Sequence, residues 1–269
     1  MRAFFIAITV LQFLEAINTA SLSAKSKGSL PETLEPEDRA VTRAIEAEIR
    51  AKTKRVACSS DEIDSPAARN GIISTKARWE DFYIYIGEEY SDKHRTLINN
   101  AAYRLSQVIP CVDFRIWRKG EKPSEDYEGT YLHVMKTGEG CWSYTGKVFE
   151  GAQNISLDNG CMSVGTIMHE MIHALGFRHE QCRPDRDDYI TIYLQNVIPG
   201  KEHNFKKYSY QEVTTYNVTY DTKSLMHYDS YAFSGNEKPT MLTKTGGKIA
   251  DPEELAPGDI TKLKRMYNC

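Results

Sequence analysis

The stretch His169-Glu170-Met171-Ile172-His173-Ala174-Leu175-Gly176-Phe177-Arg178-His179 constrains this chain more than any other part of it. Histidines four apart share one face of a helix, so His169 and His173 can aim both imidazoles at one point. Glu170 is adjacent to His169 and reaches toward the same cleft. Gly176 lets the backbone enter the left-handed region, which ends the helix and turns the chain so that His179 returns as a third ligand. Three protein ligands leave a position open, the pattern of a catalytic rather than a structural zinc site. The other reading is a buried helix with incidental histidines. Three histidines, a glutamate and a glycine at these fixed places arise by chance in roughly one such chain in 10⁵, which disfavours it. Single histidines such as His94, His133 and His203 carry no such weight and read as surface or satisfied core residues. The chemistry expected is hydrolysis through an activated water, with Glu170 as general base, and one Zn2+ per chain.

The rest of the chain gives the setting. With 269 residues there is room for one sizeable domain. The net charge of −3 points to no nucleic-acid partner and no polybasic membrane contact. The first residues read as a secretory signal: Arg2, an apolar run from Phe4 to Leu14, then small residues around Ala20 and Ala24. We place the signal at 1–20, its end falling between 18 and 24. The run is too short to cross a bilayer, and no later stretch approaches a span. A secreted, extracellular protein is expected, acting as a monomer. The sequons at Asn154 and Asn217 fit secretion, although each is weak evidence alone.

Residues 25 to 69 contain no aromatic residue. Pro36 to Lys54 reads as an amphipathic helix with Val41, Ile45 and Ile49 on one face. A polar, turn-rich stretch from Cys58 to Pro66 follows. The core begins with the aromatics at Trp79. Phe82 to Ile86 is a strand candidate, and Ser91 caps a helix stopped at Pro110. Val112 to Trp117, Tyr131 to Met135 and Asn154 to Leu157 read as further strands. Ser163 to Leu175 reads as the helix of the histidine motif, and a short helix lies near Asp259 to Tyr267. This pattern predicts an α+β fold in which a mixed sheet packs on the active-site helix, with a loop-rich C-terminal part.

The longer pattern HExxHxxGxxH resembles the metzincin metalloproteases, and Ser224-Leu225-Met226-His227-Tyr228 resembles their methionine turn. Within that clan the chain is similar to the astacin family. The similarity rests on Gly176-Phe177-Arg178-His179-Glu180, Asp185-Arg186-Asp187-Asp188-Tyr189, Glu202-His203-Asn204-Phe205, Lys238-Pro239-Thr240 and the ending Tyr267-Asn268-Cys269. It covers about residues 70 to 269. The resemblance implies a two-lobed metzincin-type catalytic domain acting on peptide or protein substrates. It implies Tyr228 as a further zinc ligand that swings to stabilise the reacting centre, and Met226 as a hydrophobic floor. It also implies the disulfides Cys111–Cys269 and Cys141–Cys161, and a pro-segment over 21–69 removed by cleavage at Arg69-Asn70. Cleavage after the basic run Lys52-Thr53-Lys54-Arg55 competes with that site. The new α-amino group would pair, directly or through water, with Glu180. A non-catalytic binding protein or toxin on the same fold is the reading from another class, and nothing favours it while every ligand and Glu170 are intact.

Two departures from the family pattern concern latency. The Phe-x-Gly-Asp stretch of astacin pro-segments is absent, and residue 182 is Cys where serine is common. Either the Cys58 thiolate blocks the metal, or Cys58 pairs with Cys182 and pins the pro-segment while Asp61 or Asp64 reaches the metal. The second reading uses all six cysteines.

Overall fold

The computed structural model describes residues 36–52, 71 and 74–269. The signal stretch, Cys58, Asp61, Asp64 and the Arg69-Asn70 bond lie outside them. Helix α1 covers Pro36–Lys52; the last two residues of its sequence pattern lie outside the described residues. The sheet-bearing region then runs β1 (Asp81–Ile86), α2 (Asp92–Val108), β2 (Asp113–Ile116), β3 (Tyr131–Met135), β4 (Cys141–Ser143), β5 (Ala152–Leu157) and α3 (Val164–Leu175).

The sheet order is β2-β1-β3-β5-β4. The first four strands in that order are parallel, and only β4 runs antiparallel to its neighbour. Alternation along β1 decides the faces. Phe82, Ile84 and Ile86 are buried, and Tyr83 and Tyr85 between them are half-exposed. The register aligns like with like: Ile84 sits opposite Leu132, and Val134 opposite Ile155. Helices α2 and α3 cover this inner face. Ser91 starts α2 by accepting a hydrogen bond from the His94 amide at 3.3 Å, and α2 stops at Ile109, ahead of Pro110. All twelve residues of α3 are buried, so the histidine motif sits on the central helix of the core.

After α3 the chain makes short turns, then β6 (Ile190–Ile192) pairs antiparallel with β7 (Met241–Thr243), and α4 (Pro257–Tyr267) closes the fold. Strands β4, β6 and β7 are three residues each, too short for an alternation to register, and the sequence pattern does not reveal them. A second, smaller core gathers here around Ile190, Val197, Phe205, Tyr220, Tyr228, Met241 and Ile249.

Both expected core disulfides are formed, Cys111–Cys269 and Cys141–Cys161. Cys182 is buried and its thiol donates to the Asn204 carbonyl at 3.5 Å. Among the described residues no helix is long and apolar enough to cross a membrane.

Candidate active site

Helix α3 begins at its cap, Ser163, whose hydroxyl accepts from the Thr166 amide at 3.1 Å. It ends where Gly176 takes φ = 114°, a value that a side chain would resist. The Gly176 amide returns to the His173 carbonyl at 2.8 Å, and the Phe177 amide to Ile172 at 3.0 Å. This turn sends the chain back past the helix and delivers His179.

The three imidazoles meet. Their Nε2 atoms form a triangle with every side 3.1 Å. The tautomers follow from the other ring nitrogens. His169 Nδ1 donates to the Leu225 carbonyl at 2.7 Å, and His173 Nδ1 donates to the Phe177 carbonyl at 2.6 Å. Their Nε2 atoms therefore present lone pairs to one another, an arrangement that calls for a cation at the centre. The fit is metrical as well. A point about 2.0–2.1 Å from all three nitrogens, the usual Zn–N distance, lies roughly 1 Å off the plane of such a triangle. Burial holds His169 down to about 3, helped by His179 and opposed by the bond to Leu225. Burial also keeps His173 well below the ordinary histidine value, with His179 and His169 adding to it. Neutral imidazoles are what a metal requires.

Glu170 points from the same helix and is fully buried. Below the histidines runs the turn Ser224 to Tyr228. Leu225 supplies the carbonyl that orients His169. Met226 belongs to the main core and Tyr228 to the smaller one, so this turn is the seam between the two lobes. The Tyr228 ring lies 4.3 Å from the His179 ring, centroid to centroid, and its amide donates to Gln181 Oε1 at 3.2 Å. The structure thus gathers His169, His173, His179, Glu170, Met226 and Tyr228 in one place.

Sequence reasoning missed the frame behind this turn. Asp259 in α4 accepts from Ser224 Oγ at 2.6 Å and from the Leu225 and Ala256 amides at 2.8 and 3.0 Å. Lys262, one turn on, bonds Asp259 at 3.2 Å and Glu180 at 2.7 Å. The other Glu180 oxygen accepts from Arg183 at 2.9 Å and from the Asp221 amide at 3.2 Å. Burial alone would push the Lys262 ammonium down, but Glu180 and Asp259 outweigh it and hold it above its ordinary value. A lysine at i+3 from an aspartate in a short amphipathic helix looks like a solvated pair, so the sequence offered no signal of this role.

Comparison with known proteins bears on this geometry. The family model described as Astacin, a peptidase family, matches residues 71–268. The chain belongs to the astacin family. That family is one of peptidases. It is 40% identical over 213 residues to blastula protease 10 of Paracentrotus lividus, 35% over 210 residues to meprin A subunit beta of Homo sapiens, and 36% over 212 residues to zinc metalloproteinase nas-4 of Caenorhabditis elegans. These matches cover 78%, 77% and 77% of this chain but only 35%, 29% and 64% of the relatives. Among solved structures, high choriolytic enzyme 1, a hatching enzyme zinc-protease of Oryzias latipes, is 28% identical with a TM-score of 0.60. That match covers 80% of this chain and all of the other. Myroilysin, 20% identical with a TM-score of 0.52, shares the fold and covers 72% of this chain and 96% of that one.

Proposed function

We propose that this astacin is a secreted endopeptidase made as a zymogen, that His169, His173 and His179 hold its zinc, and that Glu170 is its general base. The observation that carries the reading is the Nε2 triangle, with two of its three tautomers fixed by backbone carbonyls, beside a carboxylate buried on the same helix. Zinc held there supplies a Lewis acid that acidifies water and polarises the scissile carbonyl. Glu170 takes the proton from the attacking water and delivers it to the departing amide nitrogen. The Tyr228 phenol donates a hydrogen bond to the oxygen on which charge develops. The Tyr228 ring packs against those of His179, Phe205 and Phe233, and would swing from there. Glu170→Ala should lower kcat/KM on a peptide substrate by roughly 10²–10⁴ with one zinc per chain retained. Wild-type activity in that variant, measured alongside metal analysis, overturns the role of Glu170.

The zymogen reading assigns residues 1–20 to the signal, 21–69 to the pro-segment and 70–269 to the catalytic domain. Helix α1 supports it by docking on the first residue of the histidine helix and on α2. Glu46 accepts from the Val164 amide at 2.7 Å, and Asn100 donates to the Thr42 hydroxyl at 2.7 Å. Cleavage at Arg69-Asn70 would free an amino terminus one residue from Gly71, whose amide bonds the Gly176 carbonyl at 3.2 Å. Glu180 already holds two cations, so a new α-amino group would share its carboxylate through water rather than displace Lys262. A Cys58–Cys182 tether across the cleft accounts for every cysteine, and a non-reducing gel of the cleaved protein tests it. Release of the pro-peptide without reductant favours the Cys58 thiolate on zinc instead. Amino-terminal sequencing of active enzyme should read Asn-Gly-Ile-Ile.

A further inference from the structure

Parallel strands are ordinarily buried on both faces, yet among the described residues helices cover only one face of this sheet. The other face carries Tyr83, Tyr85, Arg115, Tyr131, His133 and Asn154, all half-exposed. It divides into two halves. Over β1 and β2 the chain roofs it. Trp117 and Tyr127 fold across, with the Trp117 ring 5.9, 5.5 and 5.4 Å from those of Tyr83, Tyr127 and Tyr131. Beyond Tyr131, over the far end of β1 and the rest of β3 and over β5 and β4, no such roof exists among the described residues. There the rings stand in two groups. Tyr85 and His133 lie 5.1 Å apart on one side. Trp142, Tyr144 and the exposed Phe149 are linked at 5.6 and 4.9 Å on the other.

Asn154 stands between these groups. It is the cross-strand partner of His133, and the pairing of Ser143 with Ile155 brings the residue after Ser143 alongside it. Its neighbour on the same face, Ser156, is sealed by hydrogen bonds to the Gly140 carbonyl at 2.8 Å and the Thr137 hydroxyl at 2.7 Å. The Asn154 amide has no such bond to a described residue. The residues Asn154-Ile155-Ser156 form an N-glycosylation sequon.

We propose that Asn154 carries an N-linked glycan and that its first sugars lie across the open half of this face, against Tyr85, His133 and Tyr144. The proposal rests on the secretion reading. A pyranose has an apolar C–H face and a polar rim, which suits half-buried aromatic rings at a water boundary. The donor is a lipid pyrophosphate-linked oligosaccharide. The Asn154 amide nitrogen bonds to the anomeric carbon and loses a proton. The bond from that carbon to the pyrophosphate oxygen breaks, and the lipid pyrophosphate leaves with the electron pair. Transfer precedes folding, because in the folded chain the Ser156 hydroxyl is enclosed. Asn217 is the natural contrast. It is exposed in a loop at φ = 53°, with its carbonyl held by Arg265 at 3.1 Å. A glycan there would project into water.

The test expresses the full chain behind a heterologous secretory leader in eukaryotic cells, so that entry to the pathway does not depend on residues 1–20. Secretion with the native leader is scored separately. Mass spectrometry should find a glycan on Asn154. Enzymatic removal, which needs no mutation, should lower Tm by about 2–4 °C. Trimming to a single sugar should keep most of that shift. Asn154→Gln should show the lower Tm and no response to the enzyme, and Tyr85→Ala with Tyr144→Ala should shrink the response. An unmodified Asn154 overturns the proposal whether or not Asn217 is occupied. So does a glycan on Asn154 whose removal leaves Tm unchanged.

Discussion

The lobe above the seam and the lobe below it are stabilised by different means. Above, in residues 79–179, side chains alternate along strands and repeat along helices, and the core is aliphatic and aromatic, with Ile84, Leu97, Leu132, Ile155 and Ile167 fully buried. Below, one short strand pair and a series of turns enclose a smaller core, and buried charge takes over. Glu180, Arg183, Asp259 and Lys262 are nearly inaccessible and bonded to one another. Tyr220 stacks on Tyr189 at 4.8 Å and bonds His227 at 2.7 Å, while the Arg183 guanidinium lies over its ring. A lobe with few ladders leaves many backbone groups to satisfy, and side-chain carboxylates and guanidinium groups do that here. The two lobes should therefore be sensitive to different kinds of substitution.

The sharpest break is Lys262→Met. It preserves volume but leaves Glu180 and Asp259 short of a cation, and should cost about 3–5 kcal/mol. On the usual scale for a catalytic domain of this size that lowers Tm by roughly 6–20 °C, readable by calorimetry. A loss below about 1 kcal/mol would show that the lower lobe does not depend on its ion network. In the upper lobe, Ile84→Val removes one buried methylene and should cost only about 0.5–1.5 kcal/mol in denaturant unfolding. A larger effect there than at Lys262 reverses the comparison. The smallest effect concerns pH. Burial in the sheet lowers the His133 pKa below its model-peptide value of 6.5, with Glu89 opposing the shift. The unfolded chain then binds the proton first. Stability contributed by neutral His133 is present above pH 6.5 and is lost as pH falls below it. His133→Gln should flatten the unfolding midpoint against pH below 6.5, and an unchanged slope would assign that dependence to other groups.

The same contrast explains what was legible in the sequence. In the upper lobe β1, β3, α2 and α3 each carry enough periodic positions to declare themselves, and their ends coincide with Ser91, Pro110, Ser163 and Gly176. The histidine triad was legible because helix geometry ties His169 to His173, and Gly176 accounts for the return to His179. Below the seam, Asp259 and Lys262 matter through partners 34 to 82 residues away. No local pattern encodes such contacts. Tyr228 and Met226 came from resemblance alone, since a methionine and a tyrosine in a turn have no chemistry of their own. Of the two sequons, the loop one at Asn217 fits the usual surface setting, whereas Asn154 proved to lie within a strand. Spacing could not tell them apart.

The bond between Cys111 and Cys269 has a consequence for survival. It joins Cys269 to the residues just before β2, at the sheet edge, across 158 positions, so the histidine helix, the methionine turn and the whole lower lobe sit inside one covalent ring, with Cys141–Cys161 as a smaller ring within it. A single backbone cut anywhere in that ring opens it without dividing it. Both new ends stay attached to the same molecule, and the cut strand can settle back into place. An endopeptidase shares its surroundings with its own copies, and this closure lets it absorb a nick from a neighbour and remain one piece.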